Sequence, residues 1–266
     1  MITFRRLTML FFIILLGMNL SNLFPGKFHL DYFREHEAMF YALLVSSYFG
    51  ISFAMAFLPC SGFHHKVICH GNTTEKWVAI TFDDGPDPLK TPVILDILQR
   101  HGIKATFFCI GKNIEGNELL ATRIHENGHL IGNHSFSHSR WFDLFPARKM
   151  RGELAGTDNL VHGITGKTPL FFRPPFGVVN PMVSNALKKM HWHAICWNIR
   201  SFDTMEKEPR KTMQRITGKL KPGAIILLHD FTPFTEHHLD DLICGIIEKG
   251  YSIVPLDQML NLPAYA

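Results

Sequence analysis

The sequence has no Lys/Arg-rich run and a formal net charge of only +4. It lacks the basic stripe that tracks a phosphate backbone, so nucleic acid is excluded as a natural partner. Five cysteines cannot all pair, and a chain of 266 residues needs no disulfide framework to hold a core. No G-x-S-x-G elbow is present, which argues against serine-hydrolase chemistry. No internal repeat and no second soluble domain is visible, and no protein partner is inferable. Nor is there any charge between Arg6 and Lys27.

That last absence marks a membrane device. MITFRR is followed by the apolar run 7–24, near the length of a bilayer crossing, which reads as a signal anchor or signal peptide. No small-x-small cleavage site follows, which favours a retained anchor. A second uncharged stretch, 38–63, is also long enough to cross, although Tyr41, Ser46, Ser47 and Tyr48 interrupt it and part of it could pack on the following domain. If only the first run crosses, the rest of the chain lies outside the cytoplasm. If both cross, it returns to the side of Arg5 and Arg6, the cytoplasmic side by the positive-inside rule. The expected organisation is a membrane anchor region over 1–65, with one or two transmembrane segments, and a catalytic domain over 66–266. Cys60 and Cys69 flank a short polar loop and could bridge in an oxidising compartment; Cys109 and Cys196 fall in apolar runs and read as buried thiols.

From Trp77 onwards short β-rich runs alternate with helical patterns. Glycines 102, 128, 166, 223 and 250 stand at helix ends and suit left-handed caps. Repeated β-then-α units predict a mostly parallel sheet with helices outside. Roughly seven such units favour a barrel with a missing or irregular stave over an eight-fold one. Active sites in such folds gather at the C-terminal ends of the strands. Asp83 and Asp84 end the first strand, His134 the third and His229 the sixth, while Arg173 and Asp203 follow the fourth and fifth.

Sixteen histidines supply metal-ligand chemistry in abundance. In HSFSH, His134 and His138 share a face if one helical turn follows the strand. With one carboxylate of the Asp83–Asp84 pair they complete a three-donor set that leaves room for water, and the second carboxylate is free to act as a base. A cation also explains why two like charges stand side by side. His125-Glu126-Asn127-Gly128-His129 matches the zincin pattern, but Gly128 looks like a helix cap, so the two histidines diverge. His191-Trp192-His193 precedes the fifth strand at the opposite pole and reads as packing. His64, His65 and His70 read as surface residues.

TFDDGP (81–86), HSFSH (134–138), RPPFG (173–177), WNIRSFD (197–203) and LLHD (227–230) resemble, in order and spacing, the five motifs of the polysaccharide deacetylases, carbohydrate esterase family 4. The likeness runs from about Trp77 to Leu256. It implies a distorted (β/α)7-type barrel, a divalent metal, usually Zn2+ with Co2+, Ni2+ or Mn2+ as substitutes, and hydrolysis of N-acetyl groups on an acetylated amino-sugar glycan. It further implies Asp84, His134 and His138 as metal ligands, Asp83 as general base, Arg173 holding Asp83, His229 as general acid and Asp203 supporting it. The Phe176 backbone N–H would join an oxyanion hole and Leu227 would line the acetyl-methyl pocket. Phe176 stands where many members have Tyr, Thr204 where an aromatic often follows Asp203, and Arg200 adds a charge nearby. An O-acetyl esterase on the same scaffold and a catalytically silent glycan-binding membrane protein are the rival readings.

Overall fold

The computed structural model of the protein describes residues 2–23, 35–188, 190 and 192–266. Two apolar helices come first, α1 (Phe4–Leu23) and α2 (Glu37–Ala56), each of 20 residues and so about 30 Å long. They pack on each other: Thr8 Oγ1 and the Tyr48 hydroxyl are 3.0 Å apart, and the rings of Phe11 and Tyr48 lie 4.6 Å apart. Large apolar side chains on both stay exposed, among them Phe12, Ile13, Leu16, Leu43, Phe49 and Phe53. The second apolar stretch of the sequence is thus a helix apolar and long enough to cross a membrane, and no residue of its most apolar 18-residue window is buried. Phe24 and the link to α2 lie outside the described residues.

Both helices meet the remainder of the chain at the same end. The Phe4 N–H donates to the Phe63 carbonyl and the Val179 N–H to the Ala56 carbonyl, each at 2.9 Å. A disulfide joins Cys60 to Cys69, and Cys109 and Cys196 are buried free thiols, as their surroundings in the sequence predict. His64 is not a plain surface residue. It is wedged between Phe4 and Phe63, and its Nε2 lies 2.9 Å from the Ser52 carbonyl.

The body alternates strand and helix: β1 (Trp77–Asp83), α3 (Thr91–Arg100), β2 (Thr106–Cys109), α4 (Glu118–Glu126), β3 (Leu130–Asn133), α5 (Ala147–Thr165), β4 (Phe171–Phe172) and α6 (Pro181–Leu187). Then follow β5 (His193–Ala194), β6 (Ile199–Arg200), α7 (Pro209–Thr217), β7 (Ala224–His229), α8 (Pro233–Glu248), β8 (Ser252–Ile253) and α9 (Leu256–Leu260). The strands pair in parallel in the order β5-β4-β3-β2-β1-β7-β6, with β8 beside the start of β1. The result is a distorted (β/α)7 barrel with one open seam. Near its base Ile68 bridges to Ile195 and His70 to Ala224, so the stretch before β1 laces the seam.

Two local departures from the sequence pattern have physical causes. The run AICWNI is not one strand. Asn198 accepts the Ile225 N–H through its side chain at 2.9 Å, taking a ladder bond from the backbone and splitting the run into β5 and β6. All five cap-like glycines have positive φ, but Gly223 lies beyond the end of α7, in the turn before β7, where a Cβ would collide with the Gly71 carbonyl.

Strand alternation sorts the core. Val78, Ile80 and Phe82 of β1 and Ile226 and Leu228 of β7 face outward onto Leu95, Leu98, Leu242 and Ile246 of α3 and α8. Each such side chain contributes roughly 1.5–3 kcal/mol when fully buried. The inward faces are layered. Ala79, Ile195, Ile225 and Phe171 form an apolar floor plugged by Leu256 and Met259. Thr81 and Leu227 come next, and Asp83 and His229 cap the layer at the strand ends.

Candidate active site

Asp83 and Asp84 do different things because the chain turns between them. Asp83 is the last residue of β1 and keeps its side chain on the inward face. Asp84 has φ 73°, a left-handed conformation that Asp tolerates better than most residues. Its carbonyl accepts from the Asn113 side-chain amide at 2.6 Å, which pins the turn. The two carboxylates therefore point to separate partners.

Asp83 Oδ1 is bound by Arg173 Nη1 at 2.6 Å, and both residues are almost fully buried. Arg173 also donates to Thr81 Oγ1 (2.8 Å) and to the carbonyls of Ile195 and Cys196, with the Phe108 ring 4.0 Å from its guanidinium carbon. A buried guanidinium is tolerated only when its donors are satisfied like this.

Asp84 Oδ1, His134 Nε2 and His138 Nε2 converge. Each histidine nitrogen lies 3.4 Å from that oxygen, and all three atoms fall within 4.8 Å of one another. His134 Nδ1 sits 2.7 Å from the Arg173 carbonyl, which assigns it the proton and leaves Nε2 as an acceptor facing Asp84. Asp84 Oδ1 is buried and has no hydrogen-bond partner. An anionic oxygen orphaned between two imidazole nitrogens is a poor arrangement by itself and a good one around a divalent cation.

Burial disfavours a charged His134, but the Asp83 and Asp84 carboxylates outweigh it and raise its affinity for a proton, which a cation held by the three donors would displace. Burial opposes ionisation of Asp84, but His134, His138 and His229 outweigh it and hold the carboxyl at about 2. Burial, together with repulsion from His134, pushes His138 down to about 4 and keeps its lone pair available.

The two histidines do not converge on a helical turn, as the sequence suggested. Residues 134–138 form no helical turn. Ser135 and His138 both take positive φ, 64° and 46°, and fold the segment back on itself. Asn133 Oδ1 accepts the Ser135 N–H (2.8 Å), Ser135 Oγ accepts the His138 N–H (3.1 Å), and Asp158 accepts from the Asn133 amide (2.7 Å). Asn133, Ser135 and Asp158 were invisible as site residues in the sequence. Only the position of Asn133 and Ser135 within or beside HSFSH was a signal.

His229 lies at the end of β7, in register with Asp83. Its Nδ1 is 2.9 Å from Asp203 Oδ1 and its backbone N–H donates to Asp203 Oδ2 at 2.8 Å. Ser201 and Thr232 also donate to that carboxylate. Burial would depress the His229 imidazole, but the Asp203 bond and charge raise it above its ordinary value. Leu227 is buried two residues earlier on the same inward face. Phe176 has φ 58° and an exposed ring 4.7 Å from that of His138. A cavity of about 410 Å³ opens beside Asp84 and His138, bounded by Asn113 and Phe231. A wider depression of about 710 Å³ between α7 and α8 holds none of these residues.

The other histidine patterns stay apart from this site. Gly128 (φ 79°) ends the turn after α4, and His129 is buried, accepting the Ala105 N–H. Trp192 and His193 pack in the protein, Trp192 against Phe172 and His193 against Phe171; His191 lies outside the described residues.

A polysaccharide deacetylase family model matches residues 70–215, more than half of the chain. The chain belongs to the polysaccharide deacetylase family. Among curated members of the family, it is 33% identical over 196 residues to the peptidoglycan-N-acetylmuramic acid deacetylase PdaA of Bacillus subtilis, covering 71% of this chain and 73% of that one. It is 32% identical over 186 residues to the peptidoglycan-N-acetylglucosamine deacetylase PgdA of Listeria monocytogenes, covering 70% of this chain but only 39% of PgdA. The Bc1960 peptidoglycan N-acetylglucosamine deacetylase superposes with a TM-score of 0.70 at 30% identity, over 75% of this chain and 95% of that one. BA3943 of Bacillus anthracis, described as a pseudoenzyme of the same family, superposes with a TM-score of 0.68 at 29% identity, over 73% and 69%.

Proposed function

We propose that the chain is a membrane-tethered, divalent-metal-dependent hydrolase that removes N-acetyl groups from an amino-sugar glycan or glycoconjugate. The observation that carries this is the triangle of Asp84 Oδ1, His134 Nε2 and His138 Nε2 beside an Asp83 that Arg173 holds apart. Two imidazoles and one carboxylate suit Zn2+, with Co2+, Ni2+ or Mn2+ as alternatives. Bound there, the cation would acidify water and polarise the acetyl carbonyl.

The protein's own groups divide the remaining work. Asp83 Oδ1 is occupied by Arg173, so Oδ2 is the oxygen that takes a proton from the attacking water. Arg173 fixes the carboxylate's direction through a charge-assisted bond. His229, oriented through Nδ1 by Asp203, delivers a proton from Nε2 to the departing nitrogen. The Phe176 N–H assists the oxyanion, and Leu227 bounds the methyl group.

Because BA3943 shares the fold and is described as a pseudoenzyme, the fold alone does not argue for turnover. Here the complete set of base, acid and three metal donors does. The test is acetate release by the full-length, Zn2+-loaded protein from N-acetylglucosamine oligomers and, in parallel, acetylated xylan. Release from the first that chelation abolishes supports the reading; release from xylan alone favours the esterase; neither, with glycan retained, favours a silent binder.

Residues 1–65 act as the anchor and 66–266 as the catalytic domain in this reading. The exposed apolar faces of α1 and α2, and their shared attachment to the domain at one end, favour a hairpin in which both cross. Arg5, Arg6 and Lys66 on the domain side outnumber Lys27 and Arg34 between the two helices by only one, so charge gives no strong orientation. The Cys60–Cys69 disulfide favours an oxidising compartment, outside the cytoplasm. A reporter fused to the C-terminus and read on both sides of the membrane checks this.

A further inference from the structure

We infer that the acetylated sugar reaches this site attached, through a phosphate linkage, to a lipid held in the bilayer, and that the end of α2 and the Phe176 loop form the passage for that lipid. This rests on the deacetylase reading above and names its substrate class.

The catalytic mouth abuts the membrane helices. The Ala56 carbonyl, at the last residue of α2, accepts the Val179 N–H. Three residues before Val179, the Phe176 ring touches His138. One loop therefore connects the end of a bilayer-length apolar helix to a proposed metal ligand.

Two cavities flank that loop and share Phe57. One, of about 480 Å³, runs along α2 between Phe49, Phe53 and Phe57 on one wall and Leu144, Val178 and Met182 on the other. The second, of about 440 Å³, lies between Phe57 and Leu58 on one side and Phe176, Trp197 and Arg200 on the other. An apolar path thus runs from the flank of α2 to the Phe176 edge of the site. Phe57, Leu58, Leu144 and Phe176 are each more than half exposed. Such a patch is costly in water and is expected where hydrocarbon covers it.

One cation stands on the rim of this passage. Arg200 lies over the rings of Phe202 (4.7 Å) and Trp197 (5.9 Å). The acidic residues next along the chain face other partners: Asp203 is bound to His229, Glu206 lies against Arg215 and Glu208 against Lys211. A guanidinium at the junction of an apolar groove and a sugar site matches a phosphate placed between a lipid chain and a sugar. A water-borne polymer has no use for the apolar wall and would have to reach down to the bilayer surface to enter.

The test uses the full-length, Zn2+-loaded protein in detergent micelles. Long-chain prenyl phosphate-linked N-acetylglucosamine and soluble N-acetylglucosamine oligomers are offered under identical conditions. The expected kcat/KM is at least ten-fold higher for the lipid-linked sugar. Phe57→Asp and Arg200→Ala should each lower the ratio of the two kcat/KM values several-fold, which also controls for simple mixing of lipid and protein in micelles. An equal or higher kcat/KM on soluble oligomers, with the ratio untouched by both variants, overturns the inference and leaves the deacetylase reading standing. If neither substrate is turned over, the deacetylase reading falls, and retention of the radiolabelled lipid-linked sugar decides the passage separately. Retention lost in Phe57→Asp supports it; absence of retention overturns it.

Discussion

Asp83 and His229 are register partners, the last paired residues of two adjacent parallel strands. Parallel register directs both side chains to the same face, so the two groups proposed to move protons meet at one mouth by backbone geometry alone. What differs is the charge behind each. Arg173 stands behind Asp83 and Asp203 behind His229, so a cation orients one group and an anion orients the other.

Replacing the base should separate binding from turnover. Asp83→Asn is expected to keep the metal, measured by elemental analysis after dialysis, while kcat falls roughly 10²–10⁴-fold. It also leaves the buried Arg173 without its counterion, which should lower unfolding stability by about 3 kcal/mol in a denaturant titration.

Replacing the acid's partner should move a pH limb. With Asp203 gone, burial of His229 loses its strongest opponent, so its affinity for a proton drops. The alkaline limb of kcat/KM in Asp203→Asn should move to lower pH, with a larger loss at pH 8 than at pH 6. A uniform loss at all pH values would leave Asp203 with a purely structural role.

Removing one metal donor should act on affinity before rate. His138→Ala is expected to weaken Zn2+ binding by at least roughly 100-fold in a competition titration, more than the loss of a supporting residue behind a ligand. Excess Zn2+ should restore part of the activity, whereas in Asp83→Asn it should restore none.

The support beneath the histidine turn carries its own signature. Burial pushes the Asp158 carboxyl up to about 6, while its unfolded value stays near 3.8. The folded state then holds the proton more tightly, so this contribution to stability is present below about pH 4 and is lost as pH rises through about 6. Asp158→Asn keeps an acceptor for Asn133 without the charge. It should raise the melting temperature relative to the parent at pH 8, by the equivalent of about 1–3 kcal/mol, and change it little at pH 4.

The sequence was most legible where one residue decides a local geometry. Strand ends put Asp83 and His229 at one mouth, and Gly128 separated His125 from His129. It was least legible where a side chain replaces a backbone bond. Asn198 split an apolar run that reads as one strand, and Ser135 and His138 adopted left-handed backbone that no periodicity encodes. The site residues came from motifs. The frame that makes them work, Thr81 under Arg173 and Asp158 under Asn133, came from residues 92 and 25 positions apart, respectively.

The bond between the Ala56 carbonyl and the Val179 N–H bears on how the protein is handled at the bench. A soluble fragment trimmed at residue 66 would discard Cys60, leave Cys69 as a loose thiol and strip Phe57 from both grooves. It would be a different reagent from the native protein, with a bared loop beside Phe176 prone to self-association. Screening for substrates or inhibitors should therefore begin with protein extracted whole.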